Sequence, residues 1–158
     1  MPDGLYERDI LSWSEHQADL LRRLARGERV NDVDWEHVVE EIEDVGLSEL
    51  HSVESCLDLT LVHLMRVHGW PGSLSVERWR GEIGSFQKNA VRRFSPSMRQ
   101  RIDLARLYRD ALEQVAGLRY DGIEPHALPV VCPFTLDEVL TERRAVLEER
   151  LAAASGGS

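Results

Sequence analysis

Apolar residues recur every three or four positions along almost the whole chain, and this spacing constrains the fold more than any other feature of the sequence. Such spacing places the apolar side chains on one side of an α-helix. No segment alternates apolar and polar residues over more than four positions, as a half-buried β-strand would. The sequence therefore predicts an all-α fold, a compact helical bundle of about five to six helices with a core like that of a four-helix bundle.

Glycine, proline and capping residues divide this pattern into six predicted helices. The first runs from about Tyr6 to Gly27, the second from Asp34 to Gly46, the third from Ser48 to about His68, the fourth from Ser75 to Phe94, the fifth from Ser95-Pro96 to Gly117, and the last over 135–154. We expect one domain over residues 1–154, with its core in 5–117, a loop in 118–134, the C-terminal helix in 135–154 and a flexible tail in 155–158.

The composition of the chain limits the class of protein. With 158 residues, 42% of them hydrophobic, the chain can bury one ordinary core. Its apolar runs are far shorter than the roughly 20 residues that a membrane-spanning helix needs, and no basic-then-apolar leader opens the sequence. Two cysteines, Cys56 and Cys132, are too few for a disulfide scaffold. These features predict a cytoplasmic protein without a membrane association.

Charge is unevenly distributed along the chain. The formal net charge is −9, yet residues 31–65 hold ten Asp or Glu and no Lys or Arg, whereas residues 66–109 hold ten Lys or Arg and three Asp or Glu. If the two stretches pack side by side, their charges compensate each other. If they lie on opposite faces, either face can recruit a partner of opposite charge.

Carboxylates and histidines beside apolar helix faces are the sequence's candidates for a metal site. Glu41 and Glu43 lie at the two edges of the apolar face of the second predicted helix, and His63 lies on an apolar flank of the third. Bundle metal sites typically use Glu-x-x-His pairs, and no histidine in this chain has Glu three positions before it. A metal held by Glu41, Glu43 and His63 is therefore the second interpretation, and a structural histidine is the first. No complete catalytic constellation is present, so neither catalytic residues nor a cofactor are expected.

Several separated motifs resemble those of a known bacterial family. They are Tyr6-Glu-Arg-Asp9 followed by Trp13 and Gln17-Ala18, Asp34-Trp35 leading into Glu40-Glu-Ile-Glu43, Gly46-Leu-Ser48-Glu49, Leu61-Val-His63-Leu-Met-Arg66, Trp79, Ser95-Pro-Ser97 and Cys132-Pro-Phe-Thr135. In this order they resemble the domain of unknown function 29 family, which occurs in cyanobacteria and other bacteria. The resemblance implies a compact helical bundle and brings no assigned reaction.

Three polar residues of these motifs also lie beside apolar helix faces: Asp9, Glu41 and His63. We take them as the candidate binding cluster. Their alternative role is a buried hydrogen-bonded network that fixes the register of the helices.

The function that follows from the sequence is a non-catalytic one. We expect a helical protein that associates with a second copy of itself or with another helical protein. The alternative is a metal-dependent hydrolase with a carboxylate and histidine site in the bundle. A weaker alternative is contact with nucleic acid through the basic fourth and fifth helices, which the negative net charge disfavours.

Overall fold

The computed structural model describes residues 4–156, and within them it has seven α-helices and one 3-10 helix. They are α1 (Leu5–Arg8), α2 (Ile10–Ala25), α3 (Trp35–Gly69), α4 (Val76–Arg93), the 3-10 helix (Pro96–Gln100), α5 (Leu104–Ala116), α6 (Leu136–Thr141) and α7 (Arg144–Ser155). The predicted all-α class is confirmed. Within 4–156, no helix has both the length and the apolar character needed to span a membrane.

The chain forms two compact units, and the boundary between them lies after Ser48, inside α3. The first unit contains α1, α2 and the beginning of α3. The second contains the rest of α3 and all later elements. The expectation of a single domain over residues 1–154 stays a prediction.

The first predicted helix is two helices, because Asp9 interrupts it. The backbone of Asp9 leaves the helical region at φ −153° and ψ 83°, and its side chain accepts a hydrogen bond from the backbone N–H of Ser12. Asp9 thus caps the N-terminus of α2, where the free N–H groups need an acceptor. At the other end, Gly27 has φ +83°, the left-handed conformation that the sequence predicts for the residue after this helix.

The second and third predicted helices are one continuous helix, so the predicted break at Gly46 is wrong. A glycine inside a helix costs only about 1 kcal/mol relative to alanine, which is too little to end a helix whose neighbours all favour it. The predicted N-cap at Asp34 is present, since its Oδ1 accepts the backbone N–H of His37 at 3.4 Å.

The hydrophobic core of the second unit is built from the later part of α3 and from the elements that follow. The helix α4 packs against α6 and α7. Fully buried side chains include Leu61 of α3, Trp79 and Ile83 of α4, Tyr108 of α5 and Leu147 of α7. Burial of such side chains is worth about 1.5–3 kcal/mol each before entropy is subtracted.

The fifth predicted helix begins later than expected. Pro96 opens a 3-10 helix, and α5 starts only after Asp103, whose side chain accepts the N–H of Arg106 at 3.1 Å. The sequence therefore holds two start signals in succession, and the second opens the α-helix. Gly117 ends α5 as predicted.

The predicted helix over 135–154 is interrupted at Glu142 and Arg143, whose backbones are extended. The Gln87 side-chain amide donates to the carbonyls of Val139 and Glu142, both at 3.0 Å, and so satisfies two acceptors at the end of α6. The predicted capping residue Thr135 accepts the N–H of Glu138 at 3.3 Å. Of the predicted flexible tail, Ser155 still belongs to α7 and Gly156 caps it, while residues 157–158 lie outside the described part.

The segment 118–134 has no helix, as predicted, yet hydrogen bonds hold it along its length. Four donors or acceptors from helices or helix ends contact it. At the end of α3, the Trp70 indole donates to Ile123 O at 2.8 Å, and Gly69 O accepts from His126 N at 2.9 Å. Further along the segment, His68 Nε2 donates to Ala127 O at 3.0 Å, and Tyr108 OH donates to Pro129 O at 2.6 Å. A Cβ on Gly69 would approach Pro125 Cβ to 3.0 Å, so only glycine fits there without displacement of the loop.

Candidate functional site

Asp34 is the hub of the polar contacts in the first unit. Its Oδ2 accepts the Trp13 indole N–H at 3.0 Å and the His37 Nδ1–H at 2.7 Å. Its own backbone N–H donates to Gln17 Oε1 at 2.8 Å. Burial acts to raise the pKa of Asp34, but the hydrogen bonds from His37 and Trp13 outweigh it, so the pKa lies below the ordinary value. These contacts connect α2 to the first turn of α3.

The imidazole of His37 is fixed by Asp34 on one edge and by aromatic rings on its face. Its ring stacks on Tyr6 with the centroids 3.9 Å apart, and it meets Trp13 edge-on. The hydrogen bond to Asp34 raises the pKa of His37, while burial acts in the opposite direction. The other ring nitrogen, Nε2, lies 4.0 Å from the exposed carboxylate of Glu7.

Tyr6 fastens α1 to α3 through Glu41. The phenol donates to Glu41 Oε1 at 2.6 Å. This hydrogen bond, together with burial and the nearby carboxylates, raises the pKa of Tyr6 to about 12. The candidate residue Glu41 therefore serves as the acceptor that holds α1 in place.

A cleft of about 230 Å³ opens beside this cluster. Its lining consists of Gly4, Leu5, Tyr6, Glu7, Trp13, Asp34 and His37. An Asp–His pair can in general accept a proton from a bound group. However, none of the described lining residues is Ser, Thr, Cys or Lys, the usual nucleophiles of covalent catalysis. What the arrangement does in the structure is to join three helices by hydrogen bonds and ring contacts.

A second feature of the first unit is a row of apolar side chains on α3 that the described residues leave half or more exposed. Trp35, Val39, Ile42 and Val45 are 55%, 50%, 67% and 67% exposed. We call these four residues the α3 stripe. At about 100° per residue, Trp35, Val39 and Ile42 fall within about 60° of one another around the helix axis. Isolated exposed apolar residues are ordinary, but four on one helix form a continuous patch, which typically marks an interaction surface.

The same spacing of apolar residues continues along α3 into the second unit, and there it is buried. Leu50, Val53, Leu57 and Leu61 are at most 7% exposed. The α3 stripe thus has the pattern of a core-facing helix.

His63, the third candidate residue, belongs to the second unit and is 4% exposed. Its Nδ1–H donates to Leu59 O at 2.9 Å, and its Nε2 lies 2.6 Å from Glu82 Oε2. The ring also meets Phe86 edge-on at 4.9 Å. With both ring nitrogens engaged, the contacts of His63 are those of a histidine that ties α3 to α4.

The three candidate residues have separate partners. Asp9 caps α2 through Ser12, Glu41 accepts from Tyr6, and His63 contacts Leu59 and Glu82. Within the described part of the first unit, no hydrogen bond joins Asp9 to Glu41. For the metal alternative with Glu43, residues 4–156 contain no group of three or more His, Cys, Asp or Glu placed to hold a metal ion.

The two cysteines are unpaired and half-buried. Burial raises the pKa of the Cys56 thiol and of the Cys132 thiol. A raised pKa keeps a thiol in its unreactive protonated form. Cys56 packs against the core, as its apolar flank in the sequence predicts.

The residues that sequence reasoning missed are Tyr6, Trp13, Asp34 and His37 as one cluster. One signal was visible, because Asp34 and His37 are three positions apart at a helix start, where a side-chain contact is expected. The contacts with Tyr6 and Trp13 come from other helices, and spacing within one helix does not reveal them. Glu82, the partner of His63, was missed for the same reason.

The acidic stretch 31–65 forms different ion pairs in the two units. In the second unit, the acidic stretch pairs with the basic one, through Glu49 with Arg93 at 3.2 Å and Glu54 with Arg106 at 3.1 Å. In the first unit, residues 31–48 hold seven Asp or Glu and no Lys or Arg. In the described chain, no ion pair engages four exposed acids around the α3 stripe, Glu36, Glu40, Glu43 and Asp44.

Comparisons with known proteins agree with this architecture. The family model described as "Domain of unknown function DUF29" matches residues 5–144. A solved structure, an alpha-helical protein of unknown function from Rhodospirillum rubrum ATCC 11170, is 33% identical in sequence and has a TM-score of 0.71. The alignment covers 92% of this chain and 96% of that one. No functionally curated protein gives a significant match. The resemblance carried by the motifs is confirmed, and the chain belongs to the family of the domain of unknown function DUF29.

Proposed function

We propose that this protein works by binding a helix of another protein chain on the α3 stripe, without catalysing a reaction. The observation that carries the proposal is the exposure of Trp35, Val39, Ile42 and Val45 on one helix, in the pattern of a core-facing surface. Apolar residues at spacings of three and four suit an amphipathic helix as the bound element.

The polar cluster of the first unit supports this function as a scaffold. Asp34, His37 and Glu41 fasten α1 and α2 to one side of α3. At about 100° per residue, Asp34 and Glu41 lie between about 80° and 160° around the helix axis from Trp35, Val39 and Ile42. The cluster therefore holds α3 from one side and leaves Trp35, Val39 and Ile42 free for a partner, while Val45 lies about 20° around the axis from Asp34 and three turns further along the helix.

Gly46 lies on the same side of α3 as the stripe, about 20° from Trp35. A Cβ at this position would meet nothing within 4 Å. A partner helix can therefore approach the α3 backbone closely here, which glycine permits in helix pairs.

The location that we propose with this function is the cytoplasm, where free thiols such as Cys56 and Cys132 are the ordinary state.

The test is a binding measurement with synthetic amphipathic helices labelled with a fluorophore, by fluorescence anisotropy. We expect a probe to bind the wild-type protein and to lose at least about tenfold in affinity to a V39S/I42S variant, because two apolar contacts of about 1 kcal/mol each are removed. The matched control is V130S/V131S, which changes two apolar residues of the second unit that are even more exposed than Val39 and Ile42. If no probe of any charge binds the wild type, or if both variants bind equally, the proposal is wrong.

A further inference from the structure

Charge around the α3 stripe decides which helix can lie on it. This step rests on the proposed function, since it names the partner of the same surface. The stripe sits in a segment, 31–48, that holds seven acids and no Lys or Arg. Its exposed acids Glu36 and Glu43 lie about 40–60° beyond Val39 around the helix, at the edge of the apolar patch.

These acids differ from several acids of the second unit in having no Lys or Arg partner. Glu49, Glu54 and Glu148 each pair with an arginine of their own unit. Glu36, Glu43 and the neighbouring Glu40 have no such partner in the described chain. Acids left unneutralised along the edge of an apolar docking surface repel an acidic or like-charged partner and attract a basic one.

A second copy of this chain is a poor occupant of the stripe on the same grounds. A two-fold pairing of α3 with itself would bring Glu36 and Glu43 of one copy beside the acids of the other, because an isologous interface uses the same patch twice. Half of the ten Lys and Arg residues in 66–109 are moreover engaged within the chain, since Arg78, Arg80, Arg93, Arg99 and Arg106 form ion pairs.

We propose that the α3 stripe binds a basic amphipathic helix of a different protein, with Lys or Arg residues flanking its apolar face opposite Glu36 and Glu43. The apolar side chains of that helix cover Trp35, Val39 and Ile42. Its cations neutralise the acids at the edge, so that the apolar contact supplies most of the affinity and the charges select the partner.

The test uses three labelled helical peptides that share one apolar face of Leu and Ala and differ only in their flanking residues, which are Lys, Gln or Glu. At low ionic strength we expect the Lys peptide to bind about 2- to 100-fold more tightly than the Gln peptide, because each of two or three surface ion pairs contributes a factor of about 1.4–5. Raising the salt concentration to about 0.5 M should narrow this difference, since the ions screen exposed charges.

A pair of charge variants locates the effect. We expect E36Q/E43Q to reduce the preference for the Lys peptide severalfold while it keeps the binding of the Gln peptide. The control E113Q/E149Q has the same net charge, changes two exposed acids of the second unit, and should leave the preference unchanged.

The outcomes separate the two proposals. If the Gln or Glu peptide binds as tightly as the Lys peptide, the stripe is a docking surface but its basic partner is ruled out. If light scattering instead shows a dimer of the protein that V39S/I42S abolishes, a second copy is the occupant and the inference is wrong. If none of the peptides binds and the protein remains monomeric, the proposed function fails as well.

Discussion

Replacing Asp34 with alanine removes three contacts of the first unit at once. The backbone N–H of His37 loses its cap, and the ring nitrogens of Trp13 and His37 lose their acceptor. Each of these donors then has to find water or stay unpaired. The Trp13 side chain is 5% exposed, so its indole N–H has little access to solvent.

The expected magnitude follows from two of these losses. An N-cap replaced by alanine costs about 1 kcal/mol. A buried donor left without an acceptor costs about 1–3 kcal/mol. Because the cap belongs to α3 and Trp13 to α2, we expect Asp34→Ala to lower the free energy of opening of α2 by about 1–3 kcal/mol, which corresponds to roughly 5- to 160-fold faster exchange of its protected amides, and to lower that of the start of α3 by about 1 kcal/mol.

Native-state hydrogen exchange is the suitable assay because it reports on each helix separately. The matched control is Asp103→Ala, which removes an N-cap of α5 that has no other side-chain acceptor role among the described contacts. We expect it to cost about 1 kcal/mol, seen at the amides of α5. If Asp34→Ala accelerates exchange only at the start of α3, as Asp103→Ala does in α5, and leaves α2 unchanged, Asp34 is only a cap and its role in joining α2 to α3 is refuted.

Three further predictions concern the same unit. In an NMR titration, the pKa of His37 should lie above the ordinary histidine value and return toward it in Asp34→Asn. Because the pKa is raised in the folded state, the stability that His37 contributes is fully present below the ordinary histidine pKa and is lost as the pH rises through the raised pKa. In an ultraviolet titration, Tyr6 should ionise at about pH 12, and Glu41→Gln should lower that pKa, whereas an unchanged curve would mean that the 2.6 Å hydrogen bond is absent in solution. Gly46→Ala should raise the free energy of unfolding by about 0.5–1 kcal/mol, because the new Cβ meets nothing within 4 Å; a loss of stability would argue against a continuous α3.

The sequence predicts the helices well where a single periodic face and a clear end signal coincide. The helix α4 and the end of α5 at Gly117 are examples. The errors in the predicted helix ends come from capping residues and a glycine, whose effects are limited to a few neighbouring residues. Asp9 and Asp103 are strong N-caps inside stretches whose apolar period continues without interruption, so periodicity alone does not show the breaks there. Gly46 is the opposite case, a weak end signal that the surrounding helix overrides.

The site could be predicted only in part. Periodicity correctly places His63 on a buried flank, and it places Glu41 at the edge of an apolar face. The partners of these residues, Tyr6 and Glu82, lie 35 and 19 positions away in sequence. Pairings at such distances depend on how helices pack, and one sequence without packing information does not contain them.

The exposure of the α3 stripe could not be predicted either. Trp35, Val39 and Ile42 have the same period as the buried residues Val53 and Leu57 of the same helix. Hydrophobic spacing shows which side of a helix seeks cover and does not show whether this chain supplies the cover.

Hydrogen bonds fix the segment 118–134 to its surroundings at several points, and these points limit how far the length of the segment can vary. Contacts at Ile123, His126 and Pro129 set how much chain must lie between one anchor and the next. The tight turn at Asp121 and Gly122, where both residues have positive φ, is exposed. Relatives with longer or shorter versions of this segment should therefore differ at that turn, and the turn is the natural place to insert a tag or a label without disturbing the helices.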